Sequence, residues 1–320
     1  MRHPIAFVMA AAATALPASS ASAWTRPGHM VAAAIAYDEL MRDDPRLVAE
    51  MLRLLAAHPD PGPFQVAIDR SEGAERDRRL FLQMARWPDD IRGGSHDHPT
   101  WHYRLLPVAD AGAAAPAALT KGSGVEALAL NLSVARDPRA SAADRAVALC
   151  WILHLVADFH QPLHSVERID PAWPQGDEGG SKVFVRDQIS GKPVSLHWFW
   201  DDSISRDGTA AAAFAKAKDL EARFPRARFT TELSRPIARA DASRWLDESH
   251  DLAVTLAYRS DAPRATSPET ATQPGLAYRR AVEQAAEQRL TLSGYRLADL
   301  LREILTDSVR PPDTPTDRQR

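Results

Sequence analysis

Two histidine–aspartate pairs with the same spacing stand among apolar residues of this 320-residue chain. His154 precedes Asp158 by four positions, and His197 precedes Asp201 by four. At about 3.6 residues per helical turn, each pair lies on one face of a helix and can reach a single site. A polar side chain on an apolar helix is costly to bury unless it has a partner, and a metal ion supplies one. One such pair alone would be a hydrogen-bonded core pair about as often as a metal site, whereas the repetition favours metal binding.

Further nitrogen and oxygen donors occur outside these pairs. Asp89 and His102 lie upstream, and His164 follows Pro162, which must end the helix of the first pair. His164 can therefore point toward a neighbouring position. Imidazoles and carboxylates without a thiolate are typical of zinc sites that keep positions open for water and substrate. The sequence thus predicts zinc binding of the catalytic kind.

The amino-terminal segment 1–23 has the anatomy of an export signal. One basic residue is followed by an apolar run over 5–16 and by small residues at 21–23. The run is too short to span a bilayer, and no later stretch approaches about 18 uninterrupted apolar residues. We therefore expect cleavage after Ala23 and a secreted or periplasmic protein. Cleavage would leave Trp24 with a free α-amine beside its carbonyl oxygen, a chelating pair that only a chain start offers.

Composition limits both the stabilising forces and the partners. Cys150 is the only cysteine, so an internal disulfide is excluded even in an oxidising compartment. The formal charge is -3, which excludes a polybasic nucleic-acid binder; a substrate phosphate must be attracted by bound cations and a few arginines. With 45% apolar residues the chain can bury a sizeable core. We expect one domain over 24–305 and a disordered tail over 306–320.

Apolar residues recur at helical spacing through most of the chain. The predicted helices are 28–41, 45–57, 74–86, 124–136, 142–160, 209–223, 236–258 and 274–305. Ser141 and Asp144 resemble a capping box at the start of the helix that carries the first pair. Strand character is confined to 182–196, while 107–123 and 260–273 have the composition of surface loops. We predict an all-α fold, a single mainly helical domain with a small β-hairpin near 182–196.

Eight short blocks follow one another along 24–305. They are Trp24 at the expected chain start, Gly28-His29, Trp87-x-Asp89-x-x-Arg92, Trp101-His102-Tyr103, His154-x3-Asp158, Gln161-Pro162-Leu163-His164, Gly179-Gly180 and Leu196-His197-x-x-Trp200-Asp201. In this order they resemble the S1/P1 nuclease family, the zinc-dependent nucleases of fungi, plants and bacteria, with more distant kinship to bacterial zinc phospholipase C. A chance match would need all the blocks in sequence.

The resemblance implies three zinc ions per chain. The first would be held by Asp89, His102, His154 and Asp158, the second by His29, by Asp158 and by the amine and carbonyl of Trp24, and the third by His164, His197 and Asp201. A bridging role for Asp158 agrees with its chemistry, because a carboxylate has two oxygens whereas a neutral imidazole offers one lone pair.

The predicted mechanism assigns roles beyond metal binding. Two ions about 3.5–4 Å apart can activate a shared water for in-line attack on phosphorus, so we count Asp89 and Asp158 as catalytic. The third ion would stabilise the departing 3′ oxygen. Arg92 can direct its planar guanidinium at the phosphate oxygens, the alternative being a surface arginine.

Three positions are expected to contact substrate. The family places at Tyr103 an aromatic that stacks a nucleobase, which favours unpaired strands of any sequence; a core aromatic is the alternative. Ser181 and Asp202 stand where the family commonly has asparagine, and Asp202 would add negative charge beside a phosphate.

The leading hypothesis is an exported endonuclease that cleaves single-stranded DNA and RNA to 5′-phosphate products, with removal of 3′-phosphates from nucleotides as a further activity. A zinc phospholipase C is the alternative, but its relatives tend to close the third site with His-x3-Glu, whereas this chain has His197-x3-Asp201. A structural metal protein is disfavoured by the presence of Arg92 and of a complete third site. We expect a monomer without a membrane or stable protein partner.

Overall fold

Helices form most of the computed structural model, which describes residues 24–68, 71–109, 119–234 and 242–309. In chain order they are α1 (Arg26–Asp43), α2 (Pro45–Leu55), α3 (Gly62–Ala67), α4 (Gly73–Asp90), α5 (Gly124–Arg136), α6 (Ala142–Asp158), α7 (Leu196–Asp201), α8 (Ala210–Arg223), α9 (Thr230–Leu233), α10 (Ala242–Leu252) and α11 (Leu276–Val309). The mainly helical class predicted from the sequence is confirmed. The expected export signal lies outside the described residues.

Two of these helices are buried on nearly every face. Residues 27–37 of α1 and 148–158 of α6 are buried throughout, as their almost uninterrupted apolar sequences require. α1 packs against α4, α8 and α11, while α6 packs against α2, α4 and α5. Any polar side chain on the inner turns of α1 and α6 is therefore withdrawn from water and needs a partner.

The predicted cap of α6 is present. The Asp144 backbone N–H donates to Ser141 Oγ over 3.0 Å, which satisfies one of the donors left unpaired at a helix start. The Ser141 hydroxyl in turn donates to the Asp144 carboxylate over 2.7 Å. The helix that carries His154 and Asp158 thus begins at the position that the sequence predicts.

Within the described residues, strands occur in two places, not one. β3 (Phe184–Arg186) and β4 (Pro193–Ser195) are antiparallel and form the predicted hairpin. The expectation that strand character stops there is wrong, because β1 (Leu106–Ala109) pairs in parallel with β2 (Val166–Ile169). β1 runs into the region 107–123 assigned to a surface loop, and its backbone groups are satisfied by a segment far away in sequence.

The parallel pairing of β1 with β2 holds together two segments that carry site residues. The Arg104 N–H donates to the His164 carbonyl over 3.0 Å, and the Leu106 N–H donates to Ser165 over 3.1 Å. These bonds hold the single 3₁₀ turn Pro99–His102 beside the single 3₁₀ turn Pro162–His164. Two distant segments are thereby fixed side by side.

Two helices near the carboxyl terminus end at positions other than those predicted from the sequence. The predicted helix 236–258 is α10, which ends at Leu252 and continues as a π turn over Ala253–Ala257; its first predicted residues lie outside the described chain. α11 reaches Val309, so residues 306–309 of the expected tail are helical, and the rest of that tail lies outside the described residues. The division into one domain over 24–305 stays a prediction. No helix among the described residues is long and apolar enough to cross a bilayer.

Candidate metal centre

Buried histidine and aspartate side chains converge in three groups within the described part of the chain. Each group places its donor atoms within 4.8 Å of one another: His29, His154 and Asp158; Asp89, His102 and His154; His164, His197 and Asp201. All the side chains named as zinc ligands from the sequence fall into these groups. The structure brings them together, and their role as ligands stays a prediction.

Four helices and the two 3₁₀ turns supply these side chains. α1, α4 and α6 cross one another in the core and place the first two groups between them. The third group lies where α7 meets the turn Pro162–His164. Because the donors come from packed helices and from turns fixed by β1 and β2, their geometry is set before any ligand binds.

Asp158 connects the first two groups. Its Oδ1 lies 3.3 Å from His29 Nε2, whereas its Oδ2 lies 3.1 Å from His102 Nδ1 and 3.3 Å from His154 Nε2. The two oxygens of one carboxylate thus face different imidazoles. This is the arrangement that a carboxylate bridging two cations requires.

The histidines of the third group show which nitrogens are available. His164 Nδ1 donates to the His102 carbonyl over 2.7 Å, and His197 Nδ1 donates to the Gly179 carbonyl over 2.8 Å. A carbonyl only accepts, so both Nδ1 atoms carry the proton and both Nε2 atoms carry a lone pair. The two Nε2 atoms lie 3.0 Å apart. Facing lone pairs repel each other, and a cation between them removes the conflict; two ligands on tetrahedral zinc are ~3.3 Å apart.

The same arrangement occurs in the core of the cluster. His154 Nδ1 donates to the Ala85 carbonyl over 2.8 Å, and its Nε2 lies 2.9 Å from His102 Nδ1. A backbone carbonyl that fixes the imidazole tautomer and ring direction is the usual outer contact of a metal-binding histidine. Three of the predicted histidine ligands have this contact.

Burial leaves polar atoms of the cluster without hydrogen-bond partners. Within the described chain, His29 Nδ1, His29 Nε2 and Asp158 Oδ1 make no hydrogen bond. Burial and the neighbouring His154 hold the pKa of His29 well below its usual range, so its imidazole is neutral. Burial and the nearby Asp89 raise the pKa of Asp158 well above its usual range. Neutral imidazoles around carboxylates that are costly to ionise fit a binding site for cations.

Gln161 orients a candidate ligand, a role that is not predicted from the sequence. Its Nε2 donates to Asp201 Oδ1 over 2.6 Å, and its Oε1 accepts the Leu163 N–H over 2.5 Å. Asp201 Oδ2 is left facing His197 Nε2 at 3.6 Å. Gln161 thus fixes which oxygen of Asp201 enters the site. In the sequence, the signal for this role is the position of Gln161 in the block Gln161-Pro162-Leu163-His164.

A glycine pair allows the backbone to approach the third group. Gly179 and Gly180 have φ of 59° and 81°, a conformation that L-residues with a side chain rarely adopt. A Cβ at Gly179 would lie 2.4 Å from the Leu163 carbonyl oxygen and 3.3 Å from His197 Nδ1. The carbonyl that orients His197 therefore requires glycine. Ser181, predicted to contact substrate, directly follows the pair.

Trp24 lies beside the cluster and is fully buried. Its indole N–H donates to the Ala157 carbonyl over 3.0 Å, and Gly28 leaves room for it, since a Cβ there would lie 2.7 Å from Trp24 Cβ. The next residue, Thr25, donates its N–H to the Asp201 carbonyl over 3.3 Å. The backbone at Trp24 is therefore held next to elements that carry donors. Ligation by its amine and carbonyl stays a prediction.

Arg92 lies just beyond the end of α4, which continues past the predicted end at 86 to Asp90. Its Nη2 lies 3.0 Å from Asp89 Oδ1 and its Nη1 lies 3.6 Å from Asp97 Oδ1. Asp97 Oδ2 also accepts the Gly93 N–H over 2.7 Å. The Arg92 side chain is 24% exposed, so it is not a solvated surface arginine. Asp97, which the sequence did not indicate, steadies the segment that carries it.

Tyr103 and Asp202, two of the residues predicted to contact substrate, differ in their surroundings. Tyr103 is half-buried, and a Cβ at Gly122 would lie 2.5 Å from its Cδ2, so part of the ring packs on Gly122. The carboxylate of Asp202 is bound by Arg206, which also contacts Asp187 at 2.6 Å. Burial raises the pKa of Asp202 to about 6, against the effect of Arg206. The added negative charge expected at Asp202 is thus paired.

Comparison with known proteins adds a separate observation. The model of a protein family described as S1/P1 Nuclease matches residues 24–306. Among curated proteins, Endonuclease 4 of Arabidopsis thaliana is 27% identical over 168 residues, which is 50% of this chain and 50% of that protein. The match therefore spans about half the length of that relative.

Proposed function

The chain belongs to the S1/P1 nuclease family, and on that premise we propose that it is a secreted zinc-dependent endonuclease. Membership in the family implies a nuclease, a hydrolase acting on phosphodiester bonds. The finer proposal is that it cleaves single-stranded DNA and RNA to 5′-phosphate products and removes 3′-phosphates from nucleotides. We further propose that it acts as a monomer, outside the cytoplasm and without a stable protein partner.

The observation that carries this proposal is the pair of oxygens on Asp158 that face different imidazoles. With His29 at one oxygen, His102 and His154 at the other, and Asp89 in the same cluster, two cations can be held close together. The third group offers two opposed Nε2 lone pairs and an oriented carboxylate. We propose that the three groups hold three zinc ions and that the Trp24 amine and carbonyl complete the second site.

Bound zinc ions would lower the pKa of a water molecule and offset the negative charge of the phosphate. The residues of the chain supply the rest. Arg92, steadied by Asp97, donates to the non-bridging phosphate oxygens as charge builds on them. Tyr103 offers the part of its ring that Gly122 leaves uncovered to an unpaired base. Ser181 offers a hydroxyl beside the third group, and Asp202 offers a carboxylate whose charge Arg206 offsets.

A zinc phospholipase C is the second candidate. It uses the same classes of donors, and the structure does not separate the two by fold. The third group, closed here by the short side chain of Asp201, and a relative named as an endonuclease support the nuclease.

One assay series tests the proposal. The purified protein is incubated with zinc and, in parallel, with single-stranded DNA, single-stranded RNA, a 3′-nucleotide and phosphatidylcholine vesicles. We expect both nucleic acids to be cut to fragments with 5′-phosphate ends and the 3′-nucleotide to release phosphate, with vesicles left intact. Hydrolysis of the lipid alone would overturn the proposal.

A further inference from the structure

A groove runs along one face of α4. Residues 79, 83, 86 and 90 recur at helical spacing and therefore share this face. They line a groove of about 860 Å³, closed on its other sides by α3 and by the start of α8. A second groove of about 660 Å³ shares Pro63 and Asp90 with the first and is lined by Arg92. The two grooves therefore adjoin at Asp90. Arg92 lines the second groove and contacts Asp89 of the metal centre.

Asp90 organises the positive charge of this path. Its carboxylate accepts hydrogen bonds from Arg86 Nε at 2.8 Å and from Gln83 Nε2 at 2.7 Å, and Arg26 Nε lies 2.8 Å away. Asp90 thus offsets part of the charge of two arginines and holds Arg86 at the wall of the groove.

Of the arginines that line the two grooves, Arg79 has the most exposed side chain. Arg86 and Arg92 line the grooves together with the carboxylates of Asp60 and Asp90, and Arg92 also pairs with Asp89 and Asp97. Arg79 is 39% exposed and pairs with Glu75 at the surface over 2.8 Å; such a pair contributes little, so a phosphate can compete for the guanidinium. The first backbone groups of α8, at Ala210 and Ala211, also line the groove, where a helix start favours negative charge.

The spacing of the arginines fits a chain of phosphates. Arg79 and Arg86 are seven positions apart, which is about 10 Å along a helix at 1.5 Å per residue. Even in stacked nucleic acid one strand advances about 3.4 Å per phosphate. The row formed by Arg79 and Arg86 therefore has the length of up to about three nucleotides, beyond the nucleotide that Arg92 contacts.

We propose that this α4 groove, defined by Arg79, Arg86 and Asp90, binds the sugar–phosphate backbone of a single strand beyond the bond that is cleaved. The inference rests on the proposed nuclease function and deepens it: the protein prefers strands of several nucleotides to dinucleotides. Arg79 acts as a phosphate contact of the strand. Arg86, whose guanidinium is held by hydrogen bonds to Asp90, is a positioning residue in the wall of the groove.

The test compares Arg79→Glu with a matched control, Arg53→Glu. Arg53 is also an exposed helical arginine paired with a glutamate on its own helix, and it lines neither groove. Values of kcat/KM are measured for a dinucleotide and for a strand of about 12 nucleotides, at several salt concentrations. We expect Arg79→Glu to lower the ratio of the long to the short substrate about 5-fold or more and to reduce the salt slope of binding by about one. Arg53→Glu should leave the ratio and the slope as in the unaltered protein.

An unchanged ratio in Arg79→Glu with an unchanged salt slope would overturn the inference while leaving the nuclease proposal intact. Fluorescence anisotropy with a labelled, uncleavable phosphorothioate strand provides a readout that does not need turnover, and equal affinity of all three proteins would count equally against the groove. Absence of any nucleic-acid cleavage by the unaltered protein contradicts the proposed function instead. Melting temperatures confirm that both variants fold.

Discussion

At the scale of single residues, Asp158 has the most demanding environment in the described chain. It is fully buried on α6, its two oxygens face three histidines, and no arginine or lysine is paired with it in the contacts of the cluster. A buried carboxylate in such surroundings is stable as an anion only when cations lie beside it. The environment of Asp158 therefore supports the proposed metal binding.

Replacement of Asp158 by asparagine keeps the size of the side chain and removes the charge that would bridge two ions. We expect Asp158→Asn to lose most of the zinc from the first two groups and to lower the rate of DNA hydrolysis ~100-fold or more, since even outer-contact changes cost 10–100-fold. Elemental analysis and a rate assay measure both. Asp202→Asn, which alters a paired carboxylate beside the third group, is the control and should keep its zinc. Full zinc content in Asp158→Asn would exclude a bridging role.

Gln161 gives a prediction for the third group alone. Gln161→Met removes the amide that fixes Asp201 Oδ1 at nearly constant volume. We expect zinc affinity of one site in three to fall about 10–100-fold, measured by competition with a chelator of known affinity. A titration that cannot be distinguished from that of the unaltered protein would mean that Asp201 does not need this contact.

The identities of the site residues could be predicted from the sequence, whereas their long-range contacts could not. Each helical His-x3-Asp pair is local, so periodicity alone indicates that both side chains reach one place. The contact of Gln161 with Asp201 spans 40 positions, and no local pattern encodes it. Asp202 and Arg206 are only four residues apart, but α7 ends at Asp201, so helical spacing does not predict their pairing.

At the scale of elements, the helices were predictable and the parallel strands were not. α1 and α6 follow from long apolar runs with breaks at proline and at a capping serine. β1 has four residues, includes Pro107 and leads into a stretch rich in alanine and glycine, so it shows no alternation. Its partner β2 lies nearly 60 positions away, and the pairing depends on the tertiary fold.

The packing of α8 against α1 predicts a pH effect on stability. Burial, then the charges of Asp38 and Glu39, raise the pKa of Glu221 from 4.5 to about 7. Between these values the folded state binds more protons than the unfolded state, so stability falls as the pH rises through this window. Glu221→Gln removes the buried charge. We expect its melting temperature to equal that of the unaltered protein near pH 4 and to exceed it by about 2 °C at pH 8.

The measurement is a pair of thermal melts at the two pH values. Glu221 is partly exposed, so water weakens the effect and only a small difference is expected. A variant that is less stable at pH 8 than the unaltered protein would show that the carboxylate makes a favourable contact there.

At the scale of the whole molecule, core and site are the same structure. The helices that bury the largest apolar side chains also carry His29, His154 and Asp158, and Cys150 is a free, buried cysteine. Metal binding to the folded state alone stabilises it. Function and stability should therefore depend on the same ions.

The most direct test of this account is the zinc content, by elemental analysis, of purified protein that begins at Trp24, measured together with its rate of single-strand hydrolysis. We predict about three zinc ions per chain, and loss of both zinc and activity on treatment with a chelator. A protein that hydrolyses single strands at an undiminished rate with no bound metal would contradict the account.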